Sequence, residues 1–170
     1  MPALLELCRN IPPGIALDLA CGTGRHAKAL ARCGWRVTAL DVSEVAIENL
    51  RRMAAAGGLA IEARVQDLED AEFQLEPDAY DLVCDCLYLQ RSLFARIRRA
   101  VRPGGIFFGA IPMVDAEPGL RPMNPDYLID PGELAAEFQH WRILQYSESR
   151  PRPGSRLIAQ LTAQRPEACK

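Results

Sequence analysis

Residues 17–25, Leu17-Asp18-Leu19-Ala20-Cys21-Gly22-Thr23-Gly24-Arg25, put a two-glycine turn between a short apolar run and a helical pattern. A strand, a glycine turn and a helix N-terminus in that order bring bare backbone close to a ligand. Gly22 and Gly24 lack the Cβ that would block such an approach. The helix that follows offers unpaired N–H donors and a positive dipole end. Asp18 adds a fixed negative charge just upstream, which suits a ligand with a cationic part better than a purely anionic one.

Two readings of this turn compete. Gly22-x-Gly24-x-x-Ala27 fits the dinucleotide fingerprint, and Asp41 closes the next strand as a ribose-binding acid should. The rival pattern is Asp18-x-Ala20-x-Gly22-x-Gly24, in which an acid precedes the glycines. The rest of the chain decides between them.

With 170 residues, the chain is read as a single domain over 1–170 with a short N-terminal segment and no full lid. A net charge of −2 supplies no global field for nucleic acid. Arg96, Arg98, Arg99 and Arg102 are spaced as a solvated helix face. No run approaches the ~20 apolar residues of a membrane span, and no leader pattern opens the chain, so the cytoplasm is expected. The six cysteines (Cys8, Cys21, Cys33, Cys84, Cys86, Cys169) form no C-x-x-C, and there are only two histidines. Reduced thiols are expected and no metal site. Cys84 and Cys86 share one face of a strand, as core thiols.

Strands are expected at 15–20, 35–40, 59–65, 80–86, 106–111, 141–147 and 156–163. Helices are expected at 24–33, after Ser43 to Gly57-Gly58, at 91–101, and after Asp130-Pro131-Gly132-Glu133. In the second helix, Ala46, Leu50, Met53 and Ala54 form the inward side. In the fourth, Asp130 is the cap, and Leu134 and Phe138 are the buried pair. Arg102-Pro103-Gly104-Gly105 reads as a turn. Residues 112–129, with Pro112, Pro118, Pro122 and Pro125, form a long loop at the carboxyl end of the fifth strand. The last two strands have no helix between them, so they pair antiparallel. Dinucleotide-binding domains end on a parallel strand, and that difference favours the acid-first reading.

The ordered set Asp18 to His26, Val37 to Ser43, Tyr88-Leu89-Gln90-Arg91, Arg102 to Gly105, Asn124 to Leu128 and Pro131 to Leu134 resembles class I S-adenosylmethionine (SAM) methyltransferases. Within that group it resembles the small bacterial branch related to tellurite-resistance (TehB-like) methyltransferases. The resemblance implies a three-layer, Rossmann-like α/β fold, with a seven-stranded, mostly parallel sheet ending in an antiparallel hairpin. It implies SAM as cofactor and S-adenosylhomocysteine as product. The family usually has glycine where this chain has Ala20.

By the same resemblance, Asp18, Ala20, Cys21, Gly22 and Gly24 lie along the methionine moiety, and Arg25 or His26 reaches its carboxylate. His26 is equally readable as an exposed first-turn residue. Asp41 meets the ribose, Val42 an adenine face, and Asp67 with the Leu68 N–H the adenine edge. Asp85 interrupts an apolar strand and is expected to face the cleft near the methionine end. Asp85, Tyr88 and Arg91 are the candidate catalytic groups, and Arg121 and Asn124 could orient an acceptor. The implied reaction is methyl transfer to a small-molecule nucleophile, with a non-catalytic SAM-binding module as the alternative. The cleft is left open, closed by the 112–129 loop, or covered by a second subunit of a homodimer.

Overall fold

The computed structural model describes residues 2–117 and 119–167; Pro118 of the long loop and Cys169 lie outside the described residues. Seven strands form one sheet in the order β3-β2-β1-β4-β5-β7-β6. They are β1 (Ile15–Leu19), β2 (Arg36–Asp41), β3 (Ile61–Val65), β4 (Tyr80–Cys86), β5 (Val101–Pro112), β6 (Arg142–Ser149) and β7 (Ile158–Gln164). β1 to β5 pair in parallel, and β7 is antiparallel to both β5 and β6. The terminal hairpin is as its helix-free connection requires. The strand order reverses between β1 and β4, where a crevice opens at the carboxyl ends of the strands.

Helices α1 (Pro2–Asn10), α2 (Arg25–Arg32) and α3 (Glu44–Gly57) cover one face, and α4 (Arg91–Ala100) with the short α5 (Glu133–Glu137) covers the other. Alternation along the strands feeds both cores. Ala16, Cys84 and Phe108 meet Leu30, Ile47 and Leu50, while Leu17, Val83 and Phe107 meet Phe94, Leu134 and Phe138. Phe138 stacks on Phe107 with centroids 4.3 Å apart. Truncating it to alanine would cost about 3–5 kcal/mol.

Local chemistry explains most boundaries. The Ser43 hydroxyl accepts from the Ala46 N–H at 3.2 Å and starts α3. Gly58, left-handed at φ +59°, stops it. The buried stripe of α3 is Ile47, Leu50 and Ala54; Met53 is exposed and Ala46 only half-buried. Both stripes run through Leu50, and the structure turns the helix toward the bulkier Ile47. In α2, Ala31 is half-buried and His26 takes an inward place.

Other expectations need correction. Residues 102–105 are not a free turn: β5 starts at Val101, which pairs with Tyr80, and the register shifts before Leu82. Asp130 does not cap α5 through its side chain; the Glu133 carboxylate instead accepts the Asp130 N–H at 2.9 Å. Of the four arginines read as a solvated face, Arg99 is exposed as expected and the other three are tied down. Arg98 pairs with Glu137 at 2.7 Å and Arg102 with Asp81 at 2.8 Å. Arg96 binds the carbonyls of Asp70 and Ala71 and lies 5.7 Å from the centre of the Phe73 ring. It thereby fastens residues 66–79, which make the β3-to-β4 crossover without a helix and bury Leu68, Phe73 and Leu75.

Candidate functional site

The turn after β1 is held by backbone. The Cys21 N–H donates to the Leu40 carbonyl and the Gly24 N–H to the Cys21 carbonyl, both at 2.9 Å. Three of its residues are left-handed: Ala20 at φ +48°, Gly22 at +53° and Gly24 at +73°. A Cβ on Gly22 would meet nothing within 4 Å, so its glycine keeps the turn open to a ligand. A Cβ on Gly24 would lie 2.4 Å from Leu50, so that glycine also seats the turn on α3. Ala20 carries its methyl in a conformation that favours glycine.

Asp41 organises the neighbouring tip. One oxygen accepts from the Gly22 N–H at 2.7 Å, the other from the Ser43 N–H at 2.9 Å. Each oxygen keeps a second lone pair. Asp67 is exposed, and one of its oxygens accepts the Glu69 N–H at 2.9 Å. It is a turn-capping residue and still presents its other oxygen at the cleft. Tyr88, after β4, donates its hydroxyl to Glu69 at 3.4 Å and bridges the two walls.

Ala20, Asp41, Val42, Gln66, Asp67, Leu68, Glu69 and Tyr88 line one cleft of about 160 Å³. Six of these eight are residues picked from the sequence. Gln66 and Glu69 were missed, although they flank Asp67 in one short turn. Cys21, Gly22, Gly24, Arg25 and His26 form the adjoining turn and helix start rather than the cleft wall. The rim carries Asp41, Asp67 and Glu69, an acidic mouth.

Two further carboxyls are buried near the carboxyl ends of β1 and β4. Asp18 is completely buried; one oxygen accepts the Ala27 N–H at 2.9 Å and the other has no partner among the described residues. Burial pushes Asp18 up to about 7, with Asp41 adding to the rise. Its charge is therefore not fixed at neutral pH, a correction to the sequence reading. Asp85 is 1% exposed, and neither oxygen has a partner among the described residues. Burial, then the Asp18 charge, drive it well above the ordinary carboxylate range. It is not among the residues that line the cleft.

His26 is buried, not exposed, and burial with the Arg25 charge lowers it to about 4, so it is neutral. Its ring nitrogen lies 3.4 Å from the Arg25 guanidinium. Burial pushes the Cys21 thiol up to about 12 and the Cys84 and Cys86 thiols well up, so all three stay protonated in the core. The described residues include no cluster able to hold a metal ion.

The candidate bases fare differently. Burial raises the Tyr88 phenol and keeps it protonated. Arg91 is a strut: it grips Glu133 at 2.6 and 2.9 Å and the carbonyls of Asp126 and Leu128 at 3.3 and 3.1 Å. A guanidinium with these ties is no proton acceptor. The long loop is anchored again where Arg150 forks onto Asp115 at 2.6 and 2.8 Å. Asn124 uses its side-chain oxygen on the Asp126 N–H at 3.1 Å, and the Arg121 carbonyl accepts from Arg156 at 2.8 Å.

A family profile described as methyltransferase domain matches residues 16–105, more than half of the 170. Hemagglutinin 1 of Eikenella corrodens is 28% identical over 152 residues, covering 86% of this chain and 50% of that protein. The ubiquinone biosynthesis O-methyltransferase of Methylocella silvestris is 40% identical over 99 residues, covering 55% of this chain and 38% of its own length. The chain thus spans half or less of these two relatives. In fold it is similar to TehB from Haemophilus influenzae, with a TM-score of 0.83 at 23% identity over 97% of this chain and 62% of TehB. The profile match from β1 to the opening of β5, on a sheet that ends in the antiparallel hairpin, shows that the chain belongs to the class I SAM-dependent methyltransferase family.

Proposed function

We propose that residues 1–170 act as one methyltransferase domain that moves a methyl group from SAM to a small-molecule nucleophile. One observation carries this reading: tips of three strands bring Ala20, Asp41, Val42, Asp67 and Leu68 to one cleft beside an open glycine turn. The fit to the donor is chemical. An acidic mouth suits a ligand with a cationic part, and the space at Gly22 admits one close to backbone.

In this reading Asp41 accepts from the ribose hydroxyls with the lone pairs its two N–H contacts leave over. Asp67 takes the adenine amino group with its second oxygen, the Leu68 N–H meets the ring, and Val42 lies against its face. Ala20, Cys21, Gly22 and Gly24 run beside the amino-acid end. Arg25, exposed at the start of α2, takes its carboxylate, while Asp18 and Asp85 stay buried. Bound SAM supplies a methyl group already activated on a sulfonium. The protein then has to orient the acceptor and exclude water. Tyr88, in the cleft wall, flanks the place for an acceptor.

None of the three candidate catalytic groups is a ready base: Arg91 is locked, Asp85 is buried and Tyr88 holds its proton. This favours an acceptor that needs no general base from them. The same observation supports a second reading, a SAM-binding module without turnover. A cytoplasmic setting is proposed from the five cysteines among the described residues, all of them free. Separately, no helix among the described residues is long and apolar enough to cross a membrane.

Calorimetric titration of SAM and S-adenosylhomocysteine into the protein, followed by turnover on a panel of soft small nucleophiles, tests both. Binding with turnover is expected. Binding without turnover across the panel would leave the module, and no binding would remove both readings.

A further inference from the structure

Leu87 sits where neither its backbone nor its burial asks for leucine. It follows β4 in the left-handed region at φ +67°, which a glycine or asparagine adopts at ease and a bulky residue does not. Its side chain is 52% exposed, so core packing does little to offset the strain. The next residue, Tyr88, lines the cleft. A strained residue that shows an apolar side chain beside a cleft points to a contact made outside the chain.

Backbone bonds bring two more exposed apolar residues to the same place. The Leu87 N–H donates to the Ala110 carbonyl at 2.8 Å, and the Ile129 N–H to the Pro112 carbonyl at 2.9 Å. The two donors therefore take successive places along one edge of β5, about 7 Å apart at the usual rise of a strand. The Val114 N–H closes this ladder on the Ile129 carbonyl at 3.0 Å, while the Met113 N–H between them turns the other way, to Leu157 before β7. Residues 127–129 thus continue the line of β4 beyond its tip. Arg91 holds the carbonyls of Asp126 and Leu128, on either side of Tyr127. Leu128 and Ile129 are buried, whereas Val114 and Tyr127 are 46% and 45% exposed.

We propose that Leu87, Val114 and Tyr127 form an apolar seat at the tip of β4, and that it selects a methyl acceptor that is uncharged and apolar beside its nucleophilic atom. This rests on the methyl-donor reading above and adds to it a class of substrate. The charges around the seat agree. Arg91 is spent on Glu133, and Arg150 on Asp115 and Glu117. Asp126, next to Tyr127, is exposed and repels an anion. Arg121, exposed in the same loop, is the cation an anionic acceptor would seek. Each methylene taken from water by the seat is worth about fourfold in affinity.

The test uses two fluorophores with one ring system: phenylnaphthylamine, which is uncharged, and anilinonaphthalenesulfonate, which is anionic. Saturating S-adenosylhomocysteine keeps both out of the donor cleft. Wild type is expected to bind about one phenylnaphthylamine per chain, about tenfold or more tighter than the sulfonate. Leu87→Asn, at ease in the left-handed region, should keep its melting temperature within about 3 °C yet bind the uncharged probe about tenfold more weakly. Tyr127→Ser should do the same. Ile143→Asp, at an exposed apolar residue paired near the amino end of β5, should change the affinity less than about twofold. With SAM at pH 9, hexanethiol should exceed mercaptoacetate about tenfold or more in kcat/KM. Each reacts as thiolate, its proton already in solvent; its sulfur gains the methyl as the sulfonium–methyl bond breaks. No saturable binding, tighter binding of the sulfonate, or unchanged affinity in both Leu87→Asn and Tyr127→Ser would overturn the seat. Equal turnover of the two thiols, or of neither, would overturn its role toward the acceptor. Failure of S-adenosylhomocysteine to bind by calorimetry would instead overturn the donor reading, and that role with it.

Discussion

The two halves of the sheet's carboxyl edge are built by different means. At the tips of β1 to β3, backbone groups do the holding: Gly22 and Ser43 donate to Asp41, Cys21 to the Leu40 carbonyl, and Ala27 to Asp18. Beyond β4 and β5, long side chains hold the chain, with Arg91 on Glu133 and Arg150 on Asp115. The first half has a geometry set by short, local bonds. The second has a loop clasped by two arginine forks that bridge segments 42 and 35 residues apart. They also titrate in opposite directions. Burial lifts Asp18 and Asp85, whereas the Arg150 fork holds Asp115 well below the usual carboxylate range.

The sharpest break in this contrast is Asp41→Ala. It strips the acceptor from two N–H groups and the proposed ribose contact, so SAM affinity should fall about 100-fold or more by calorimetry. A loss under about fivefold would mean that Asp41 does not organise the donor half. Next comes Arg91→Ala, which opens the clasp. Proteolysis within 112–129 should speed up about tenfold while SAM affinity changes less than about twofold. Its stability cost should stay near 1 kcal/mol, because the guanidinium is 46% exposed. Equal effects on both readouts would erase the distinction between the halves.

A smaller effect concerns pH. Asp85 binds its proton more tightly folded than unfolded, so its contribution to stability falls as pH rises above the ordinary carboxylate range near about 4. His26 acts the other way, adding stability as pH rises from about 4 toward 6.5. Comparing Asp85→Asn with wild type at each pH removes that background. The variant should melt about 2–6 °C higher at pH 8, with the gap closing toward pH 4. Smallest is Ala20→Gly, which relaxes the left-handed Ala20 against the greater chain entropy of glycine; a gain of about 0.5–1 kcal/mol is expected in thermal melts.

What could be read from the residues follows the same division. Turn glycines, strand-closing acids and a helix-free final hairpin are local signals, and the structure puts Asp41, Val42, Asp67 and Leu68 together. The arginines were misread because their partners are far away in sequence: nothing near Arg91 announces Glu133. The face of α3 was off because Ala46 and Ile47 adjoin, so either stripe through Leu50 satisfies a helical period. Asp85 looked like a cleft residue because an acid in a strand must be solvated or paired. A third outcome, a buried carboxyl that keeps its proton, leaves no trace in composition or spacing. Ala20 was recognised as a departure, but its positive φ needed coordinates.

The antiparallel entry of β7 fixes where the polypeptide exits. The Gly104 N–H donates to the Arg165 carbonyl at 3.0 Å, and the Arg165 N–H to the Gly105 carbonyl at 2.9 Å, at the amino end of β5. A tether or fluorescent reporter grafted after residue 167 would therefore emerge on the far side from the cleft. A molecule immobilised that way would present its binding edge outward, ready for surface measurements.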